Sequence, residues 1–494
     1  MAGRDWIKTA VFTLIFLLPA MLNRGAIHFS DLGPYHRGGE MIVTTFAGIV
    51  TSPKDAPSSE VQSPASGEPD PSPERDAAAA GEGAASNIKG VRSPYYSLFA
   101  YTLSSAAPRL WLLAGAQAAI LGFVFAVTAR TYSIPMTLAA GAAALSSAGP
   151  VASVAGPDIW AGILILAWAL LTVPGKTIVP WVRTSLAVLL IASVLFHASH
   201  LLLAIGLGVG SVMLLLLVPG WFRSEQRKGL GVAIGGSCAA IAVTVLGGLV
   251  AFEEPSIAPK QYPIVLARAL ADGPAHDYLT EACPDADYVV CELYGEDIPD
   301  DVGEFLWGER GVSRIATPEQ LGRLRREEGA IIAAAMRRDP LEQIGETFEN
   351  VVDQSLRFSL KGTEFGLFHR VEPSGELVTD GERNWGEALR RFIALSSGVV
   401  WFALGAAGLA LVLSGRAEGR SRALLLAAII LGGIAANAII CGALSAPVHR
   451  YGARVIWLVP LGAAAIIALT GSLERLASFG RARLQVFLTR RQAT

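Results

Sequence analysis

Apolar residues in this chain run on without interruption for about a bilayer's width of helix at a time, broken by short polar turns, rather than alternating or following one helical stripe. About 20 such residues are needed to cross a membrane as a helix. In lipid a helix satisfies its own backbone polar groups, so continuous apolar runs predict helices and not strands. The runs fall at 7–27, 109–129, 134–154, 158–174, 181–197, 200–218, 229–252, 391–413, 422–444 and 453–471. The fold class that follows is an all-α polytopic membrane protein with about ten transmembrane helices. Between the runs ending at 252 and beginning at 391 lies a polar, acidic stretch of the size of an ordinary domain.

That stretch has its own pattern. Pro318–Arg338 reads as a helix, and Asp339-Pro340 supplies an N-cap and a first-turn proline for a second one, to about Phe358. Thr363–Trp385 is glycine-rich and reads as a loop returning to the membrane. The chain therefore divides into an N-terminal membrane domain (1–252), a mixed but mainly helical soluble domain (253–390), and a C-terminal membrane domain with a basic tail (391–494). Within the first, residues 51–89 are low in bulky apolar residues and rich in Pro, Ser, Ala, Gly and Glu, a composition that predicts disorder. Gly39–Val50 before it reads as a short helix at the interface. The basic start with Arg4 and Lys8 is signal-like, but no small-x-small cleavage site follows, so the first run is read as a retained span.

Charge orients the frame. The net charge is −2, with 40 basic and 42 acidic residues, which argues against a nucleic-acid partner. With the N-terminus cytoplasmic, one set of loops holds Arg130, Lys176, Arg183, Arg223, Arg227, Lys228, Arg416, Arg420 and Arg422, and the tail adds Arg475, Arg481, Arg483, Arg490 and Arg491. The positive-inside rule then puts both termini in the cytoplasm. The opposite face receives Asp31, Arg92, the Gly156-Pro157-Asp158 turn, the His197-Ala198-Ser199-His200 turn, the soluble domain and the Pro447–Tyr451 turn. Nearly every unusual polar residue lands there, so that face carries the function.

Several residues on it invite chemistry. Asp31 follows the first span, and an acid at a membrane surface is costly unless paired, hydrated or used. His197 and His200 frame a turn where they can contact phosphate, shuttle protons, hold a metal, or simply pack and bond backbone. Asp158 follows a proline at a helix start, where capping alone accounts for it. Cys283 and Cys291 lie close in sequence in an oxidising compartment and predict a disulfide, whereas Cys238 and Cys441 fall inside spans and read as core. Asp285-Ala286-Asp287 reads as surface, as do Glu253 and Glu254. No motif indicates a metal, and none indicates a cofactor.

Three short segments carry a resemblance. Phe29-Ser30-Asp31-Leu32-Gly33-Pro34-Tyr35 after the first span resembles the start of GT-C superfamily glycosyltransferases, a polytopic class that includes protein O-mannosyltransferases and the lipid A aminoarabinose transferase. Arg92-Ser93-Pro94-Tyr95-Tyr96 resembles that class's Arg-Pro-Pro-Leu-Tyr-Tyr segment, and Arg450-Tyr451 followed by Pro460 resembles its Arg-Tyr-x-x-Pro pattern. The soluble domain has no such counterpart. The resemblance implies transfer of a sugar from a polyprenyl-phosphate donor to a lipid or glycan acceptor on the periplasmic face of the bacterial inner membrane. It implies Asp31 as catalytic base, Arg92 and Arg450 on phosphate with Arg24 as a third candidate, and Tyr35, Tyr95, Tyr96 and Tyr451 lining the substrate cleft; Asp158, His197 and His200, by their place on the same face, are further substrate-binding candidates. Membrane lipids are the remaining partners expected.

Two other readings use the same features. One is an oligosaccharide ligase or polymerase consuming a diphosphate-linked donor. The other is a lipid or solute transporter, which would show internal symmetry and polar residues at mid-membrane depth; the sequence shows no matching halves.

Overall fold

The computed structural model describes residues 3–27, 32–51, 92–105, 110–175, 178–252, 255–258, 261–283, 285–361, 367–371, 377–382, 386–414 and 419–472. Asp31, the low-complexity segment apart from Thr51, Lys176, Glu253, Glu254, Arg416 and the basic tail lie outside these residues. The membrane part begins with α1 (Gly3–Asn23), α2 (Leu32–Thr51), α3 (Pro94–Ser104), α4 (Trp111–Thr131), α5 (Met136–Ala144), α6 (Ala148–Ser153) and α7 (Asp158–Thr172). It continues through α8 (Pro180–Phe196), α9 (Ala198–Leu217) and α10 (Ser224–Phe252). A polar domain follows: five short helices, α11 (Ile264–Ala271), α12 (Pro274–Ala282), α13 (Val289–Tyr294), α14 (Val302–Trp307) and α15 (Val312–Ile315), then α16 (Pro318–Arg338) and α17 (Pro340–Leu356). After the hairpin β1 (Leu367–Val371) and β2 (Leu377–Glu382), the described residues continue through α18 (Gly386–Leu413), α19 (Arg420–Leu444), α20 (His449–Ile456) and α21 (Leu458–Thr470).

Seven stretches among the described residues are long and apolar enough to cross a bilayer: Asp5–Asn23, Trp111–Thr131, Ala198–Leu217, Ser224–Val250, Arg390–Leu413, Arg420–Leu444 and His449–Thr470. The chain is a helical membrane protein. Asp158–Thr172 and Pro180–Phe196 are apolar but shorter; at 1.5 Å per residue the first spans roughly 22 Å. The run 134–154, expected as one span, is broken into α5 and α6. Its Ser146-Ser147 and Gly149-Pro150 supply the reason, since proline lacks the N–H and crowds the preceding turn. The last run carries only a one-residue irregularity at Trp457, which keeps right-handed helical dihedrals; Pro460 removes the bond that the carbonyl of residue 456 would otherwise receive.

Every residue of α7 is buried, so this helix is the axis of the bundle. A helix apolar on all sides belongs in an interior, and α4, α6, α8, α9, α10, α19 and α20 pack around it. Gly162 of α7 faces the Trp457 indole so closely that a Cβ would overlap the ring, and Trp457 donates Nε1–H to the Arg454 carbonyl at 2.9 Å. One end of the bundle is tied by Asp5–Arg130 at 2.6 Å, by Tyr132 donating to the Val173 carbonyl and by Arg422 donating to the Pro174 carbonyl. The other end is tied by a parallel bridge between Ile27 and Val154 and by Ser147 donating to the Ala453 carbonyl at 2.7 Å.

The polar domain buries its own core, from Leu266 to Ala335. Thr317 and Gln320 form a reciprocal capping box at α16, and Asp339 caps α17 through Glu342 N–H, matching the helices expected at both positions. Cys283 and Cys291 form the expected disulfide, with Cα atoms 4.9 Å apart. Two expectations are corrected. Within Thr363–Trp385, an expected loop, β1 and β2 pair antiparallel with an irregularity at Phe368/His369; alternating Val, Phe, Leu and Thr on either side of Pro373-Ser-Gly is a hairpin pattern. Cys238, read as core, is exposed on the outer surface of α10, while Cys441 is buried.

Candidate functional site

At the end of the bundle where Ile27 meets Val154, polar side chains from several helices converge. The i, i+4 spacing of α20 puts Arg450 and Arg454 on one face. Both guanidinium carbons lie 5.1 Å from the Tyr451 ring centroid, within cation–π range. Opposite stands Asp158, first residue of α7. Its Oδ2 is 3.6 Å from Arg450 Nε and its Oδ1 3.6 Å from Arg454 Nη1. Asp158 makes no capping bond, so the capping explanation gives way to an ion-pair role; an acid here also suits the positive end of the helix dipole.

The two arginines differ in surroundings. Arg454 is 2% exposed and held on all sides. Its Nε and Nη2 donate to Asn437 Oδ1 at 2.9 and 2.7 Å, and Nη2 also donates to Ser199 Oγ at 3.3 Å and Cys441 Sγ at 3.1 Å. Asn437 returns a bond from Nδ2 to the Tyr451 carbonyl at 2.8 Å. The Arg450 side chain is 40% exposed. The geometry thus separates a buried, fully engaged cation from a half-exposed one that an incoming anion can reach.

The histidine turn abuts this pair. His197 Nδ1 accepts from Ser199 N–H at 3.2 Å and lies 2.9 Å from Ser199 Oγ, the same oxygen that receives Arg454. His200 Nδ1 lies 2.9 Å from the Ser193 carbonyl and so carries the proton there. Its buried Nε2 has no hydrogen-bond partner among the described residues, and neither does Asp158 Oδ2. The rings sit 5.2 Å apart, and Arg92, Arg450 and Arg454 all lie within electrostatic reach of His197. No group of three or more His, Cys, Asp or Glu with metal-holding geometry occurs among the described residues.

An aromatic wall completes the site. Tyr96, on α3, packs edge-on to Tyr35 of α2 at 4.8 Å and to Phe196 at 5.4 Å. Its hydroxyl donates to Gln117 Oε1 at 3.3 Å, while Gln117 Nε2 donates to the carbonyls of Ala152 and Val154. Ser93 caps α3 and donates to the Leu195 carbonyl at 2.6 Å, which fixes that helix on α8. Arg92, just before it, lies over the Trp307 ring at 5.7 Å, and Trp307 packs edge-on to Tyr262 at 4.9 Å. The polar domain therefore reaches the site through Trp307. Burial pushes the Tyr262 phenol above its ordinary pKa, against a smaller opposing effect of Arg92 and Arg325.

Of the residues expected from sequence, Tyr35, Arg92, Tyr96, Asp158, His197, His200, Arg450 and Tyr451 come together at this end. Tyr95 does not join them: one position along α3 from Tyr96, it turns to α10 and donates to the Val243 carbonyl at 3.1 Å. Arg24 is exposed at the end of α1 in the left-handed conformation, φ 61°. Asp287, expected as surface, has a 94% exposed side chain and faces Arg323. Four participants escaped the sequence reading: Arg454, Asn437, Gln117 and Ser199. Three of them sit inside apolar runs, and a polar residue at such depth is itself a sign of function.

A multi-helix membrane protein with a buried, cation-rich polar cluster at one end of its bundle is the class these observations define. No family model, curated protein or solved structure matches the chain.

Proposed function

We propose that the chain is a multi-pass glycosyltransferase of GT-C type, moving a sugar from a polyprenyl-phosphate donor to a lipid, polysaccharide or protein acceptor. In this reading all ten apolar segments cross the bacterial inner membrane, with α5 and α6 as one broken span, both termini cytoplasmic and the site on the periplasmic face. The observation that carries it is the convergence of Arg92, Arg450 and Arg454 with Asp158, His197 and the Tyr35–Tyr96 pair. Arginine forks suit a phosphate that must leave as an anion. Arg450 and Arg92 would hold it, while Asp158 and Arg454 would position Arg450.

Asp31 would be the base, by its place in the Phe29–Tyr35 segment after the first span. The acceptor oxygen bonds to the sugar's anomeric carbon, the carbon–oxygen bond to phosphate breaks, the acceptor proton passes to Asp31, and the configuration inverts. A transport reading has one observation in its favour. The interrupted segment α5–α6 meets α20 at Ser147–Ala453 beside the arginines, as broken helices do around transporter sites.

Mass spectrometry of envelope lipids and glycans separates the two, using a deletion strain complemented with wild type, Asp31→Asn or Arg450→Gln. The transferase reading expects the deletion and a normally expressed Asp31→Asn to lack the same single sugar, with Arg450→Gln depleted in it. Restoration of that sugar by Asp31→Asn removes Asp31 as base. A deletion that loses no sugar overturns the transferase reading in favour of transport.

A further inference from the structure

The helix α17 is amphipathic with its faces reversed. Gln343, Thr347, Asn350 and Gln354 recur at i, i+4, i+7 and i+11 and share one face. That polar face is turned into the protein. Gln343 and Asn350 donate to the two Asp272 carboxylate oxygens at 2.7 and 2.9 Å. Gln354 donates to the Val448 carbonyl at 3.1 Å and accepts from Val448 N–H at 2.9 Å.

The opposite face holds Leu341, Ile344, Phe348, Val352 and Leu356, and all five are exposed, Phe348 at 68% and Leu341 at 82%. Glu342, Glu346, Glu349 and Asp353 occupy one flank between the two faces. A helix bordered by water does the reverse, burying its apolar stripe. A contiguous exposed apolar stripe marks a surface that something covers.

What adjoins the stripe names the cover. Mid-helix, the backbone at Asn350 and Val351 packs on Gly442 near the end of α19, with room only for a hydrogen at that position. Just past α17, Phe358 meets Trp401 of α18 edge-on at 5.7 Å. Trp401, Phe402 and Ile439, all within helices of membrane-crossing length, are exposed at 57%, 78% and 53%. The apolar face of α17 thus continues the exposed apolar surface of α18 and α19.

We propose that α17 lies at the bilayer boundary, its Leu341–Leu356 stripe among phospholipid acyl chains and its acidic flank in water, seating the polar domain on the membrane beside the site. Interfacial helices divide their residues in this way. The Gln354–Val448 clamp, two residues from Arg450, makes α17 the link between that seat and α20.

The test places a fluorescent NBD label on full-length protein, in nanodiscs of phosphatidylcholine with or without bromine on the acyl chains. Exposed Cys238 is first replaced by Ser. Labels go on Phe348→Cys, on Val352→Cys as a second stripe position, and on Glu346→Cys on the acidic flank. Both stripe labels are expected to lose most of their emission in brominated nanodiscs and to resist aqueous iodide, with the flank label behaving oppositely. Stripe labels quenched by iodide and indifferent to bromine overturn the proposal. So do stripe labels indifferent to both quenchers, with cross-linking between two copies at Phe348→Cys, since a second chain is then the cover.

Discussion

Replacing Asp158 by Asn keeps the side chain's size and removes the charge that faces two arginines. At 3.6 Å, attraction to Arg454 in a medium of effective dielectric about 20 is roughly 4–5 kcal/mol. Neutralising one partner of a buried pair typically costs about 3–5 kcal/mol, because the other charge stays buried. Solvent offsets little here, with Asp158 at 7% and Arg454 at 2% side-chain exposure. Arg450 sits at the same distance but is 40% exposed, so water screens it and its pairing contributes about 1 kcal/mol or less. Unfolding in mixed detergent–SDS micelles, followed by tryptophan fluorescence, measures the difference. Asp158→Asn and Arg454→Gln are expected to lose about 3–5 kcal/mol each, Arg450→Gln far less, and the double variant less than the sum. Sugar transfer should show a different order, with Arg450→Gln impaired while its stability is kept. An Asp158→Asn variant as stable as wild type, or equal losses for the two arginines, refutes the division into a positioning and a substrate-facing cation.

Two further outcomes follow from packing and burial. Gly162→Ala sets a methyl into the Trp457 ring and should cost about 1–3 kcal/mol in the same unfolding assay, as overpacked sites do. In the polar domain, burial raises the Glu328 carboxyl above its ordinary value of 4.5 although it accepts Leu266 N–H at 2.8 Å. A raised carboxyl contributes its stability below the unfolded pKa and loses it as pH rises through the folded one. Glu328→Gln should therefore gain hydrogen-exchange protection over Leu266–Leu270 relative to wild type at pH 8 and show less gain at pH 5; equal differences at the two values sink this reasoning.

The chain's own pattern determined the helical membrane frame, the polar domain between its halves, the two capped helices α16 and α17, and the Cys283–Cys291 pairing. These are local matters: apolar length, a proline after an N-cap and two near cysteines each decide their outcome within a few residues. It also marked most of the site, because Arg92, Asp158, His197, His200 and Arg450 are polar residues at the edges of apolar runs. Only the tertiary structure decided what those residues are for. Asp158 reads locally as a cap, and its partners Arg450 and Arg454 lie nearly three hundred residues away. Which of two adjacent tyrosines faces the cluster depends on how α3 rotates against α8 and α10, and Tyr95 and Tyr96 are equivalent until that packing exists. The orientation of α17 is the clearest case. Its sequence shows two faces, but which one turns inward was settled by the Asp272 carboxylate and the Val448 backbone, polar groups that only the folded chain brings to it.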